Sequence, residues 1–196
     1  YQRKYLSLAF VSKNRLSDDG SESLLMLYFD PDFTLETVRD KMFASIKEAR
    51  SGKTDNSTSI LDLLAKFPRL ILAIVARLLY ILDYFGRVPH ALIKEEPNYS
   101  TLFLSNLGSI RLNADYHHLN NWGTNSLFVV IGNRSLKPYY DQEGRVEMRD
   151  TLSLSMTLDE RIADGYYYAQ SIRLLRHLLQ HPELLEQPAN QEVDYV

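Results

Sequence analysis

The stretch "TLSLSMTLDERIADGYYYAQSIRLL", residues 151–175, joins a strand pattern to a helix pattern across a short charged break. Before the break, apolar residues alternate strictly with serine or threonine, which is the period of a β-strand with one apolar and one polar face. The apolar members are Leu152, Leu154, Met156 and Leu158. After Asp164-Gly165 the apolar period becomes that of a helix, which we place at 165–181. We expect the apolar strand face to lie in the core and the polar face to meet a partner or line a channel.

The charged break is the first candidate functional site. A turn between a strand and a helix presents its side chains at the end of the sheet, where ligands commonly bind. Glu160 and Asp164 place two carboxyl groups close in space, with Arg161 between them. An Asp-Gly pair ahead of a helix is also an ordinary turn with an N-cap. These residues alone leave both interpretations open.

The rest of the chain predicts a mixture of strands and helices. The segments 4–12 and 23–30 are apolar and aromatic and are separated by "DDG", which is typical of a hairpin. Thr34 is placed to cap a helix that ends at Gly52. Further strands are predicted at 101–105, 126–132, 133–140 and 145–158.

A very apolar segment precedes Gly86. Pro68 divides it into two helices or kinks one. Its apolar runs are shorter than the ~20 residues that a bilayer crossing needs. Three interpretations compete for the helix: burial against the sheet or a neighbouring subunit, which we favour, an apolar lid over a hydrophobic substrate, or contact of 67–86 with a membrane surface.

Composition narrows the classes of function. The 196 residues have the size of one domain, with 45% hydrophobic and 24% charged residues. The 22 basic and 25 acidic residues leave a net charge of -3, which argues against nucleic acid as a partner. Without cysteine there is no thiol nucleophile, disulfide or thiolate metal site. No glycine-rich phosphate loop is present, which disfavours nucleotide hydrolysis.

Two motifs resemble a known family. "LSLSMTLDERIADG" looks like the end of the catalytic domain of dihydrolipoyl acyltransferases of the 2-oxoacid dehydrogenases, and more distantly like chloramphenicol acetyltransferase. That superfamily has His-x-x-x-Asp-Gly, often within Asp-His-Arg. The motif is matched by Asp159, Arg161, Asp164 and Gly165, and Glu160 stands where the catalytic histidine should be. "TLFLSNLGSI", residues 101–110, resembles the family strand that ends in Ser-Asn-Leu-Gly.

The resemblance covers about residues 5–52 and 100–186, and it implies a fold and an assembly. The expected fold is the two-layer α/β sandwich of the chloramphenicol acetyltransferase superfamily, a mixed, mostly antiparallel sheet with helices on one side. We expect one domain over 1–186, with an apolar helical insertion at 53–99 and a polar tail at 187–196. The resemblance also implies homotrimers, or a multiple of them, with the active-site channel between subunits.

Roles for site residues follow from the same resemblance. The family serine at Ser105 donates a hydrogen bond to the oxyanion, and the family aspartate at Asp164 is structural and paired with an arginine, a place that Arg161 can take. The family histidine removes a proton from the thiol of coenzyme A or from an acceptor hydroxyl. A glutamate base, with an ordinary pKa of about 4.3 against about 6.5, loses roughly 3 kcal/mol of driving force. Glu160 is nevertheless the expected catalytic base.

The loop "DYHHLNNWGTNS" is a second candidate for binding substrate. His117 and His118 can supply the base that position 160 lacks, and Trp122 can stack on a ligand. Arg161, in the charged break, is a further residue that we expect to bind substrate. Adjacent histidines on a loop are also ordinary surface groups. We expect no metal site, because adjacent histidines on a loop rarely converge on one ion.

The sequence thus predicts coenzyme A-dependent acyl transfer between a small-molecule donor and acceptor. The alternative is a catalytically inactive homologue that acts as an oligomeric scaffold or ligand-binding protein. No lipoyl domain or lysine that would carry a lipoyl group is recognisable on this chain, so membership of a dehydrogenase complex is not predicted. A cytoplasmic location is the default expectation.

Overall fold

The structure, a computed structural model, describes residues 5–14, 22–51 and 66–195 together with Arg3, Ser17 and Gly20. Strands β1 to β5 span Leu6–Lys13, Glu22–Phe29, Leu102–Asn106, Leu127–Tyr140 and Val146–Leu158. Helices α1 to α4 span Leu35–Arg50, Arg69–Tyr84, His90–Ile93 and Gly165–Gln180. Turns of 3-10 helix lie at Pro97–Tyr99, Leu107–Ile110 and Pro182–Glu186.

The five strands form one mixed sheet in the order β2-β1-β3-β4-β5. Long antiparallel ladders join β1 to β2 and β4 to β5, and short parallel ladders join β3 to β1 and to β4. The hairpin predicted from the first two apolar segments is the β1–β2 pair. The predicted α/β class with a mixed, mostly antiparallel sheet is confirmed.

The core lies between α1 and the first two strands. Leu8 and Phe10 of β1 and Phe29 of β2 are buried together, and Val38, Met42 and Ile46 are the α1 side chains that pack against them. Thr34 caps the helix as predicted, because its hydroxyl accepts a hydrogen bond from Thr37 N at 3.3 Å. The predicted end at Gly52 lies outside the described residues.

Strand β4 is longer than predicted. The segments predicted as separate strands at 126–132 and 133–140 form one strand, Leu127–Tyr140, with a register shift against β5 between Ile131 and Arg134. Gly132 lies at this irregularity, where glycine commonly marks a bulge or the close approach of another backbone.

The polar face of β5 is covered by the segment 111–118 of the same chain. Thr157 Oγ1 donates a hydrogen bond to the carbonyl of His117. A Cβ on Gly132, in the neighbouring strand, would stand 2.3 Å from Ser153 Oγ and 2.3 Å from Ala114 N. The expectation that this face meets a partner is therefore wrong for the part of β5 that this segment covers.

The apolar face of β5 is only partly core. Leu152 and Leu154 are 56% and 43% exposed. The alternation correctly predicted a strand, but these two leucines are not buried within the single chain, because nothing in the described part of the chain covers them.

Helix α2 is the main described part of the insertion, whose residues 53–65 lie outside the description. It begins directly after Pro68 and ends shortly before Gly86, which has a φ of 63°. None of its residues is buried. Burial against the sheet of its own chain, one of the interpretations of this helix, is therefore not observed. No described helix is long and apolar enough to cross a membrane.

Candidate active site

The turn between β5 and α4 is braced by Asp159. Its carboxylate accepts from Arg161 Nε at 2.8 Å and from Arg161 Nη2 at 2.6 Å. Its backbone N–H donates to Ser126 O at 3.0 Å, and its carbonyl accepts from Tyr168 Oη at 2.8 Å. Hydrogen bonding by the Arg161 guanidinium lowers the pKa of Asp159 below its ordinary value. The motif aspartate that precedes Glu160 thus fixes the turn to the sheet and to α4.

Asp164 is the N-cap of α4. Its side chain accepts from Tyr167 N at 2.9 Å, which satisfies one free backbone donor of the first helical turn. Arg161 pairs with Asp159 and not with Asp164. The prediction that Arg161 replaces the family partner of Asp164 is therefore wrong. The Arg161 guanidinium already forms a bidentate pair with Asp159, two residues earlier in the chain.

An open groove of about 680 Å³ lies beside this turn. Its lining comprises Tyr116, His117, His118, Met156, Thr157, Leu158, Glu160, Gly165 and Tyr168. The structure therefore brings the two candidate histidines and the candidate base Glu160 to one cavity, from two segments that are about 40 residues apart in the sequence. Trp122, Ser105 and Asp164 are not among its lining residues.

A stack of aromatic rings positions His117. Its imidazole lies on Phe128 of β4 with ring centroids 4.5 Å apart, and Phe128 stacks on Phe103 of β3 at 4.7 Å. The Thr157 hydroxyl holds the backbone carbonyl of the same histidine. His118 is exposed, and its Nδ1 lies 3.4 Å from Leu119 O. His117 is exposed as well, but it makes more contacts than His118.

Ser105 lies away from Glu160 within one chain. It pairs with Val130 of β4, which pairs in turn with Ser155 of β5. Glu160 is two strands across and five residues further along, on the order of 15–20 Å at ordinary strand spacing and rise. A single chain does not unite these two side chains.

Trp122 belongs to a contact between the insertion and the loop before β4. Its indole meets the ring of Tyr99 edge to face, with centroids 6.0 Å apart. The Tyr99 hydroxyl donates to Asp83 Oδ1 near the end of α2, and Gly123 N donates to Asp83 Oδ2 at 3.3 Å. Trp122 is therefore half-buried against Tyr99 and does not line the groove.

Tyr116 and Tyr168 are groove residues that sequence reasoning did not assign to the site. Burial raises the pKa of the Tyr168 hydroxyl, and the negative charges of Asp159 and Glu160 add to the shift. Tyr168 follows Gly165, another lining residue, by three positions, and side chains at this spacing share one face of a helix. Among the described residues, no group of three or more His, Asp or Glu side chains is placed to hold a metal ion.

Comparison with known proteins places the turn and the groove in a family context. Residues 90–186 match the model of the 2-oxoacid dehydrogenases acyltransferase (catalytic domain). About half of the chain therefore matches this acyltransferase domain. The match includes both motifs, so the resemblance inferred from them is confirmed. No curated protein sequence matches the chain significantly.

Solved structures show that the acyltransferase fold extends over most of the chain. Dihydrolipoamide acetyltransferase of Azotobacter vinelandii aligns with a TM-score of 0.57 and 17% identity, over 94% of this chain and 57% of that one. A probable dihydrolipoamide acetyltransferase of Listeria monocytogenes aligns with a TM-score of 0.54 and 10% identity, over 100% of this chain and 62% of that one. The truncated catalytic core of the 2-oxoacid dehydrogenase multienzyme complex of Thermoplasma acidophilum aligns with a TM-score of 0.50 and 14% identity, over 93% of this chain and 60% of that one. The chain spans less than two thirds of the length of these acyltransferase structures.

Proposed function

We propose that the protein transfers an acyl group to or from a coenzyme A thioester, with Glu160 as the general base. The observation that carries the proposal is the groove that Glu160 lines together with His117 and His118, beside the motif turn. The groove is open, and Tyr116, Met156 and Leu158 give it apolar walls. Such walls suit a thioester and its acyl chain.

Sequence spacing supports the same assignment. Crystallographic and enzymatic work on the Azotobacter enzyme concerns a serine, a histidine and an asparagine in its catalytic mechanism, with the serine 52 residues before the histidine and the asparagine four after it. Here Ser105 precedes Glu160 by 55 residues, and Asp164 follows Glu160 by four. We assign oxyanion stabilisation to Ser105 and the positioning of the turn to Asp164.

Because Ser105 and Glu160 lie apart in one chain, the proposal requires a site shared between subunits. A homotrimer, or a multiple of it, with a channel between neighbours would place Ser105 of one copy against Glu160 of the next. In the reaction, the base takes the proton of the attacking thiol or hydroxyl, the nucleophile attacks the acyl carbonyl, and the Ser105 hydroxyl donates a hydrogen bond to the resulting oxyanion. Collapse of the tetrahedral intermediate releases the other thiol or alcohol, which takes the proton back.

The experiment combines binding and turnover. Calorimetric titration with coenzyme A and with a panel of acyl-coenzyme A thioesters measures binding, and thiol release in the presence of an acceptor thiol measures turnover. Replacing a general base lowers the rate by about 10² to 10⁴. We expect Glu160→Gln to lower kcat by that factor while the dissociation constant for coenzyme A stays within about twofold.

Parallel variants His117→Gln and His118→Gln test the other candidates for the base. If one of them loses turnover while Glu160→Gln retains it, the base is a histidine and the assignment of Glu160 is wrong. If kcat/KM depended on the ionisation of a group with a pKa near 6.5, the ordinary value for histidine, that result would also favour a histidine as the base.

The second candidate function is a catalytically inactive scaffold or ligand-binding protein. The observation that favours it is the glutamate itself, which replaces the imidazole of the family motif. Absence of coenzyme A binding by a folded oligomer would exclude the enzyme and leave this alternative.

A further inference from the structure

The side of α2 that points away from the protein carries a continuous apolar surface, which we call the outward stripe. It consists of Leu70, Ile71, Ile74, Leu78, Ile81 and Phe85. Their exposure ranges from 44% for Ile81 to 73% for Leu70. At 100° per residue these six side chains fall within an arc about 100° wide, which is the width of the apolar face of an ordinary packed helix. Nothing in the described part of the chain covers that face.

Contacts on the opposite side fix the rotation of the helix. Leu72, Leu79 and Leu82 are half-buried. Asp83 accepts hydrogen bonds from the Tyr99 hydroxyl and from Gly123 N. Because these groups hold the inner side against the protein, the outward stripe cannot turn inward without breaking them.

The charges around the outward stripe have one sign. Between residues 66 and 87, Asp83 is the only acidic residue, and it is directed inward. The four basic residues of this segment, Lys66, Arg69, Arg77 and Arg87, are all exposed. At 100° per residue Arg77 lies beside the outward stripe, and the other three basic residues lie at the two ends of the helix. An apolar stripe with exposed cations beside it and at its ends is complementary to a surface with an apolar interior and anionic head groups.

A second copy of the helix, packed about a two-fold axis, fits the stripe less well. Arg77 lies near the middle of α2, so two such helices packed against each other about a two-fold axis would bring their Arg77 guanidinium groups together. The helix has no exposed carboxylate to compensate them, and like charges across an interface oppose association. With 16 residues, about 24 Å long, the helix suits an orientation in the plane of a membrane surface.

We propose that the outward stripe of α2 docks the protein onto the surface of an anionic phospholipid membrane. The stripe would enter the boundary between head groups and acyl chains, and the arginines would meet the phosphates. This inference is independent of the proposed acyl transfer.

Co-sedimentation with vesicles tests it, using the full chain. We expect the wild type to bind vesicles of equal parts phosphatidylglycerol and phosphatidylcholine, and to bind pure phosphatidylcholine more weakly. The triple variant Leu70→Gln/Ile74→Gln/Leu78→Gln should lose binding to both. A control triple variant, Phe43→Gln/Ile110→Gln/Leu136→Gln, changes side chains of similar exposure outside α2 and should bind like the wild type.

A charge variant gives a second measurement that keeps the apolar surface intact. At about fivefold per basic residue near an anionic surface, Arg77→Gln, which changes the cation beside the stripe, should weaken binding to the mixed vesicles roughly fivefold and leave binding to phosphatidylcholine unchanged. Circular dichroism and light scattering accompany each variant, to verify folding and oligomeric state.

Three results would overturn the proposal. The first is a wild type that binds neither vesicle. The second is a folded stripe variant that binds as the wild type does. The third is a stripe variant that dissociates the protein in the absence of lipid, which would show that another copy of the chain covers the stripe.

Discussion

Gly108, the last residue of the Ser-Asn-Leu-Gly motif, must be glycine because the backbone of β4 lies against it. A Cβ at this position would lie 2.3 Å from Gly132 O and 2.8 Å from Gly132 C. The 3-10 turn can therefore rest on β4 only if residue 108 has no side chain. We expect Gly108→Ala to lower the free energy of unfolding by about 1–3 kcal/mol, the cost typical of overpacking. Urea denaturation would measure it.

Gly165→Ala is the matched control. No heavy atom lies within 4 Å of a Cβ at that position, and its φ is not positive. Alanine there should leave the free energy of unfolding unchanged or raise it by up to about 1 kcal/mol, because alanine lowers the conformational entropy of the unfolded chain. A loss as large as that of Gly108→Ala would contradict the explanation by backbone contact.

Asp159 gives a pH dependence with a defined sign. Hydrogen bonding from Arg161 lowers the pKa of Asp159 in the folded state, so the folded state binds the proton less readily than the unfolded state. Its stabilisation is present above the unfolded pKa of about 3.9 and is lost as the pH falls through the lower folded value. Asp159→Asn should therefore be less stable than the wild type from pH 7 to about 5.

Thermal unfolding across pH would measure the difference, which should shrink as the pH falls below about 4. Arg161→Gln, which removes the partner and leaves the carboxylate, should show the same narrowing at low pH. A difference between wild type and Asp159→Asn that stays constant down to pH 3 would mean that the ion pair is not its cause.

At the scale of elements, Asp164 has a helix-capping role that can be separated from any role of its charge. Asparagine and aspartate are equally good N-caps, whereas alanine costs about 1 kcal/mol. We expect Asp164→Asn to retain the stability of the wild type and Asp164→Ala to lose about 1 kcal/mol in urea denaturation. If both variants lose the same amount, the carboxylate charge, and not the cap, stabilises the turn.

The starts of the helices could be predicted from the sequence, because an N-cap depends only on residues close to it in the chain. Thr34, Pro68 and Asp164 each begin a helix at the expected place, since the bonds and the proline constraint involve residues within one turn. The strand of "TLSLSMTL" and the turn at Glu160 were predictable for the same reason. Glu160 and the histidine pair were both candidates for the base, and the structure places them on one groove.

Contacts distant in sequence could not be predicted in the same way. Nothing near Asp83 indicates that it binds Gly123, and nothing in "TLSLSMTL" indicates that the segment 111–118 covers its polar face. Alternation shows that a strand has two faces, but the packing of other elements decides which face is buried. The contact of Trp122 with Tyr99 is another example, because Tyr99 comes from the insertion.

At the scale of the whole molecule, the apolar groups left exposed on β5 point to assembly. This edge strand is 13 residues long, and long apolar edges are normally covered. We expect light scattering to give about 68 kDa, three copies of the 22.7 kDa chain, or a multiple of it. Leu152→Ser/Leu154→Ser should reduce the mass toward one copy, whereas Phe43→Ser, at 66% exposure on α1, should not. A wild type of 22.7 kDa would contradict this prediction.

Assembly also determines whether the proposed site can exist, because Ser105 and Glu160 are separated within one chain. If Ser105 of one subunit serves Glu160 of the next, two inactive variants can complement each other. Ser105→Ala and Glu160→Gln, unfolded together and refolded in equal amounts, would place both wild-type groups at about a quarter of the interfaces. The mixture should then recover about a quarter of the wild-type turnover, while each variant refolded alone stays inactive. Mixed oligomers without any recovery would mean that the two residues do not act at a shared interface, and the oxyanion role of Ser105 would have to be abandoned.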